Sequence, residues 1–178
     1  VTESKLITKA RQQNREAQRA LYDMYKTYWY MLSLRYNRNE QDAQDVLQDA
    51  MVQIFSKLEQ FDSTRGIFKS WSGRIVINQS LMHLRKHKVN QNVEDIGDHP
   101  YLENENDSAI DILSAEELTK IIQQLPDGYR TVFNLYVLEG YNHKEISALL
   151  RTTEGTSKSQ LFKAKKMLRE KLEVLYSM

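Results

Sequence analysis

NHKEISALLRTTEGTSKSQLFKAKKMLREKLEVL, Asn142 to Leu175, is the stretch on which the reading of this chain turns. Asn142 is placed to cap a helix, and Glu145 three residues on completes a capping-box spacing. Ile146, Leu149 and Leu150 give that helix an apolar side. Arg151 to Gly155 break the pattern with Thr and Gly, and Thr153 or Thr156 is placed to cap a second helix. Leu161, Ala164, Leu168, Leu172 and Leu175 then recur at helical spacing, with Lys158, Ser159, Gln160, Lys163, Lys165 and Lys166 on the other face. Two amphipathic helices around a tight turn form a helix-turn-helix, whose second helix lies in the DNA major groove. Its first turn would offer Thr156, Ser157, Lys158, Ser159 and Gln160 to base edges and phosphates. A helical hairpin with a solvated basic face has the same spacing. Charge separates the two: from His143 to the end eight Lys and Arg stand against four Glu, which suits a phosphate-facing surface.

Working outward, Tyr129 to Glu139 reads as a helix carrying Val132, Phe133, Leu135, Tyr136 and Leu138, stopped by Gly140. Leu125 to Gly128, LPDG, is a turn. Ser114 and Glu117 have the spacing of a second capping box, opening a helix through Gln124. Upstream the composition shifts. Val89 to Ser114 holds seven acidic residues, Glu94, Asp95, Asp98, Glu103, Glu105, Asp107 and Asp111, and no Lys or Arg. Such a segment is too polar to build a core and reads as a linker. The sequence therefore divides into domains at 1–88 and 114–178 with an acidic linker at 89–113.

The N-terminal part is also helical. Leu6, Ile7 and Ala10 mark a short amphipathic segment. Asn14 is placed to cap the next helix, whose buried side is Ala17, Leu21, Met24, Tyr25, Tyr28, Trp29, Leu32 and Tyr36, a bulky core stripe in preference to a base-stacking platform. After a polar break at Asn37 to Glu40, a helix from Gln41 to Gln60 turns Ala43, Val46, Leu47, Ala50, Met51, Ile54, Phe55 and Leu58 inward. Asp42, Asp45, Gln48 and Asp49 share its exposed ridge. A helix N-terminus favours acidic residues through its dipole, and an Arg-rich partner would favour them too; charge leaves both readings open. Asp62 to Ile67 is a loop. Phe68 to His87 is helical and its charges, Lys69, Arg74, Arg85 and Lys86, are all basic; aromatic residues beside cations suit melted DNA.

Composition bounds the rest. Among 178 residues there are only six Gly and two Pro, which with abundant Leu, Lys, Glu, Gln and Ala points to an all-α protein. There is no Cys, so disulfides and cysteine chemistry are excluded and a reducing compartment is the easier fit. No apolar run is long enough to span a bilayer, and the first residues do not read as a signal peptide. A soluble cytoplasmic protein without membrane insertion is expected. His83 and His87 have a spacing that binds metal on one helix face, but no acid stands between them and Arg85 and Lys86 would repel a cation. No metal site, no cofactor and no catalytic residues are expected.

Taken in order, these motifs resemble the bacterial extracytoplasmic-function sigma factors, sigma-70 proteins that keep regions two and four. DAQDVLQDAMVQIF is similar to the region-two helix that docks on the polymerase clamp, FKSWSGRIVINQSLMHLRK to the segment that opens and reads the minus-ten element, and Leu125 to Leu172 to region four, which reads minus thirty-five. The resemblance implies that Asp42, Asp45, Gln48 and Asp49 bind core RNA polymerase, and that the loop from Asp62 to Ile67 receives a flipped base. It assigns Phe68, Lys69, Trp71, Arg74, Asn78, Arg85 and Lys86 to minus-ten DNA. It assigns Thr156, Ser157, Lys158, Ser159, Gln160 and Lys163 to minus-thirty-five DNA. Ser72 departs from the usual Leu, Ser157 from an apolar residue, and Gln160 and Lys163 from Arg, whose planar fork Lys lacks; the promoter sequence and the bases read directly stay open. Core polymerase and promoter DNA are the implied partners, with an anti-sigma factor as a frequent third. The alternative is a helix-turn-helix regulator that binds duplex DNA without polymerase.

Overall fold

The computed structural model describes residues 2–88 and 115–177, and the acidic linker and the Ser114 cap lie outside them. The described residues form eight α-helices in two compact units. The first unit holds α1 (Glu3–Arg11), α2 (Arg15–Tyr36), α3 (Glu40–Ser56) and α4 (Phe68–Lys88). The second holds α5 (Ala115–Gln123), α6 (Asp127–Phe133), α7 (His143–Leu150) and α8 (Glu154–Tyr176).

In the first unit the helix starts follow side-chain chemistry. Asn14 Oδ1 accepts from the Ala17 amide at 2.8 Å to open α2, and Asn39 Oδ1 accepts from the Asp42 amide at 2.8 Å to open α3; each satisfies an amide that the helix itself leaves unpaired. The segment expected as one helix to Gln60 ends its α-turns at Ser56 and finishes as a 3-10 turn, Leu58–Gln60. Leu21, Trp29, Leu32, Ala43, Ala50, Ile54, Leu58, Phe68 and Val76 are buried at the centre, and each large apolar side chain there contributes about 1.5–3 kcal/mol. Tyr25, Trp29, Phe61, Phe68 and Trp71 form one aromatic cluster, with contacting ring centroids between 5.2 and 6.5 Å apart.

Polar residues stitch the same core. The Ser33 hydroxyl donates to the Ala43 carbonyl at 2.7 Å, and Asn37 Nδ2 donates to the Ser33 carbonyl at 2.8 Å and toward Ser80 Oγ at 3.4 Å. These bonds tie α2 to α3 and α4 inside the protein, where an unmade bond would be costly. Asn37, expected in a solvated break, is thus a buried joint. Met24, expected on a buried face, is exposed.

The second unit is built on α8. Leu161, Ala164, Leu168 and Leu172 are buried as their spacing predicts, together with Ile121, Ile122, Leu125, Val132, Phe133, Leu135 and Ile146, whereas Leu175 is exposed. Arg130 is fully buried. Its guanidinium donates to the Leu125 carbonyl at 2.9 Å and pairs with the Asp127 carboxylate, closing the turn between α5 and α6. Past Phe133 the helix widens into a π-turn, Asn134–Leu138, before Gly140 leaves it at φ +77°.

Candidate nucleic-acid and partner surfaces

The acidic ridge lies on the first turns of α3. Asp45, Gln48 and Asp49 are exposed, while Asp42 is half-buried. Asn39 Nδ2 donates to Asp42 Oδ2 at 3.1 Å. The other oxygen, Oδ1, stands 3.4 Å from His83 Nε2 of α4. Three of the four expected polymerase-binding residues therefore face solvent, and the fourth leans toward α4.

On α4, Trp71, Arg74, Asn78, Met82 and Arg85 follow one another at steps of three and four and fall on a single stripe. Arg74, Asn78, Met82 and Arg85 are exposed, and Lys86 flanks them. Trp71 is half-buried, packed 5.5 Å from the Phe61 ring and 5.7 Å from the Phe68 ring. Two expected DNA contacts are elsewhere. Phe68 is fully buried among Tyr25, Trp29, Phe61 and Trp71, so it is core and cannot stack on a base. Lys69 lies about 160° around the helix from Trp71, its Nζ 4.7 Å above the Tyr28 ring of α2.

The loop before α4 is held by Asp62, whose Oδ1 accepts from the Thr64 amide at 2.9 Å and hydroxyl at 2.7 Å. These two bonds hold its carboxyl below the usual range and keep the turn in one shape.

In the second unit Asn142 and Glu145 form the full capping box of α7, with bonds of 2.9 and 2.8 Å. Of the two candidate threonines, Thr153 caps α8 by accepting from the Thr156 amide at 3.0 Å. The turn between α7 and α8 is made by Arg151 at φ +53°; Gly155 lies inside α8. Lys158 is exposed, and Thr156, Ser159, Gln160 and Lys163 are half-buried. The Gln160 amide leans over Gly128, where a side-chain carbon would come within 2.8 Å of it. Ser157 is a correction: it is fully buried, its Oγ 2.8 Å from His143 Nδ1, so it joins α7 to α8 and does not face out. The His143 ring stacks on Tyr136 at 4.5 Å, and burial, then Lys158, hold its pKa below the ordinary histidine value. The departure of Ser157 from an apolar residue thus has a partner that no spacing rule would have supplied.

Among the described residues no helix is long and apolar enough to cross a membrane.

Known proteins share this arrangement. Residues 21–89 match the family described as Sigma-70 region 2, and residues 115–168 match Sigma-70, region 4. The chain is 30% identical over 155 residues to the RNA polymerase sigma-H factor of Pseudomonas aeruginosa, covering 81% of this chain and 80% of that protein. It is 29% identical over 158 residues to the ECF RNA polymerase sigma factor SigM of Bacillus subtilis, covering 88% and 93%. Among solved structures it resembles the sigma factor RpoE of Bartonella quintana in complex with the anti-sigma factor NepR, with a TM-score of 0.52 at 19% identity, over 88% of this chain and 96% of that one. That likeness is one of fold.

Proposed function

The chain belongs to the extracytoplasmic-function group of the sigma-70 family, and from that premise we propose which of its surfaces perform each part of promoter recognition. As a sigma factor it binds core RNA polymerase and directs promoter recognition, DNA melting and transcription initiation. The observation that carries this is the presence of both regions, in order, on separate compact units. A helix-turn-helix regulator acting without polymerase would leave the match at residues 21–89 without a role.

Residues 1–88 act as the polymerase and minus-ten domain, 89–113 as the tether, and 114–178 as the minus-thirty-five domain. Asp45, Gln48 and Asp49 form the polymerase face, with Asp42 at its edge. Trp71, Arg74, Asn78, Met82, Arg85 and Lys86 form the minus-ten face, cations meeting phosphates while a base leaves the stack, at a cost of a few kcal/mol. Lys158, Ser159, Gln160 and Lys163, with Thr156 at the helix start, meet the major groove. Each module alone binds weakly; held on one polymerase, the second contact becomes intramolecular and gains effective concentration. The chemistry of phosphodiester formation lies with the polymerase, so this chain acts without catalytic residues of its own, on DNA in the cytoplasm. The structural relative was solved with the anti-sigma factor NepR, which supports an anti-sigma factor as a further partner.

The test is co-elution with the cognate core polymerase. Wild-type protein should elute with the enzyme and Asp45→Arg should not, since a reversed charge at an exposed position leaves the fold intact and opposes an Arg-rich partner. Equal co-elution of both removes the ridge from the interface. If neither binds, the chain is a DNA-binding regulator. At the other end, Lys158→Ala should weaken transcription from all its promoters and lower the salt dependence, as loss of one phosphate contact does. Loss confined to one base pair would make Lys158 a reader of sequence instead.

A further inference from the structure

His83 and His87 occupy the same face of α4, one turn apart, with ring centroids 4.4 Å from each other. From sequence the pair lacks an acid. The fold supplies one from 41 residues upstream: Asp42 of α3. One ligand atom from each of Asp42, His83 and His87 lies within 4.8 Å of the other two.

We propose that these three side chains bind a divalent transition-metal ion, of which Zn²⁺ is the representative, joining the first turn of α3 to the end of α4. The donor set, two imidazoles and a carboxylate, is one that Zn²⁺ takes with a fourth position left to water. Imidazole donors exclude Mg²⁺ and Ca²⁺, which require shells of oxygen. His83 Nε2 is shielded from solvent and makes no hydrogen bond; Asp42 Oδ1, 3.4 Å away, is not aligned to serve as one. Finally, the carboxylate is already oriented, because Asn39 Nδ2 holds Asp42 Oδ2 at 3.1 Å and leaves Oδ1 directed at the histidines. A metal-binding carboxylate is commonly fixed by such an outer bond. Tetrahedral zinc places its donors roughly 3.3 Å apart at bond lengths near 2.0–2.1 Å; Asp42 Oδ1 and His83 Nε2 already stand 3.4 Å apart, and all three donors lie within 4.8 Å. Arg85 and Lys86, which argue against a cation when the helix is read as a line, are both exposed and are turned by about 100° per residue from the histidine face.

The site does not depend on the assignment of DNA or polymerase contacts. It is tested on the full, tag-free chain by titration with Zn²⁺ against a chromophoric chelator and by the visible absorption of bound Co²⁺. One ion per chain is expected. His87→Gln, at an exposed position, and Asp42→Asn, which keeps the backbone cap, should each weaken binding by at least about tenfold and remove the cobalt bands. Unchanged circular dichroism of the metal-free variants separates loss of a ligand from loss of fold. In wild type alone, saturating Zn²⁺ should raise the melting temperature, since an ion that binds only the folded state stabilises it. No ion bound by wild type, or equal affinity in His87→Gln, overturns the site. Weakening by His87→Gln but not by Asp42→Asn overturns the link between α3 and α4.

Discussion

Helices α4 and α8 are anchored in different ways. The buried side of α8 is mainly aliphatic, Leu161, Ala164, Leu168 and Leu172, with Ser157 its single polar member. Its start is capped at the surface by Thr153, and α7 before it is opened by the Asn142 and Glu145 capping box. The buried side of α4 is Phe68, Ser72, Gly73, Val76, Ile77, Ser80 and Leu81, nearly half of it small or polar. Its grip comes from the five-ring cluster and from hydrogen bonds made inside the core. Both helices are walls of their own units, one held mainly by leucines and the other by rings and buried hydrogen bonds. With one side built into the core, α4 has few side chains left for a partner: Phe68 is core, and the exposed stripe is Arg74, Asn78, Met82 and Arg85.

The largest effect should come from breaking the α4 wall. Phe68→Ala removes a fully buried ring from among four others and should cost about 3–5 kcal/mol of the first unit's stability, read as a fall in the denaturation midpoint. A variant that melts like wild type but fails to open promoters would return Phe68 to the DNA face and erase the contrast with α8.

The same contrast explains what could be read from the sequence. The leucine spacing of α8, the Asn14, Asn142 and Thr153 caps and the all-α class are local patterns, and local patterns survive translation into structure. The exposed ridge on α3 was legible for the same reason. The buried face of α4 was not, because Ser72, Gly73 and Ser80 carry no hydrophobic signal and their partners, Trp29, Tyr28 and Asn37, lie some forty residues upstream. Asp42 beside His83, His143 beside Ser157, and Arg130 buried with its charge are of the same kind: pairings that the fold makes between residues whose sequence neighbours argue for something else.

A sharper test of the polar wall is Ser72. Its Oγ accepts from the Trp29 indole N–H at 3.0 Å and donates to the Lys69 carbonyl at 3.2 Å, so the hydroxyl is fully used inside the core. Ser72→Ala leaves the buried indole N–H without an acceptor and should cost about 1–3 kcal/mol. Ser72→Leu should cost more, since it adds bulk to a site that is fully buried. If Ser72→Leu instead stabilised the first unit, the wall would be held by packing as α8 is, and the two helices would share one kind of anchor.

The smallest expected effect tests the turn before α8. Arg151 ends α7 in the left-handed conformation, φ +53° and ψ +47°, while its N–H donates to the Ser147 carbonyl. A side chain in that conformation costs roughly 1–2 kcal/mol; glycine adopts it freely but gives up about 0.5–1 kcal/mol more entropy on folding. Arg151→Gly should therefore stabilise the second unit by about 0.5–1 kcal/mol, visible as a later urea midpoint, with Phe68 and its cluster unaffected. The arginine is exposed and is retained at that cost, so the same substitution should weaken promoter binding in low salt if its charge faces phosphate. Should Arg151→Gly destabilise instead, the arginine side chain is holding the turn, and the recognition helix is anchored by more than the caps at its start.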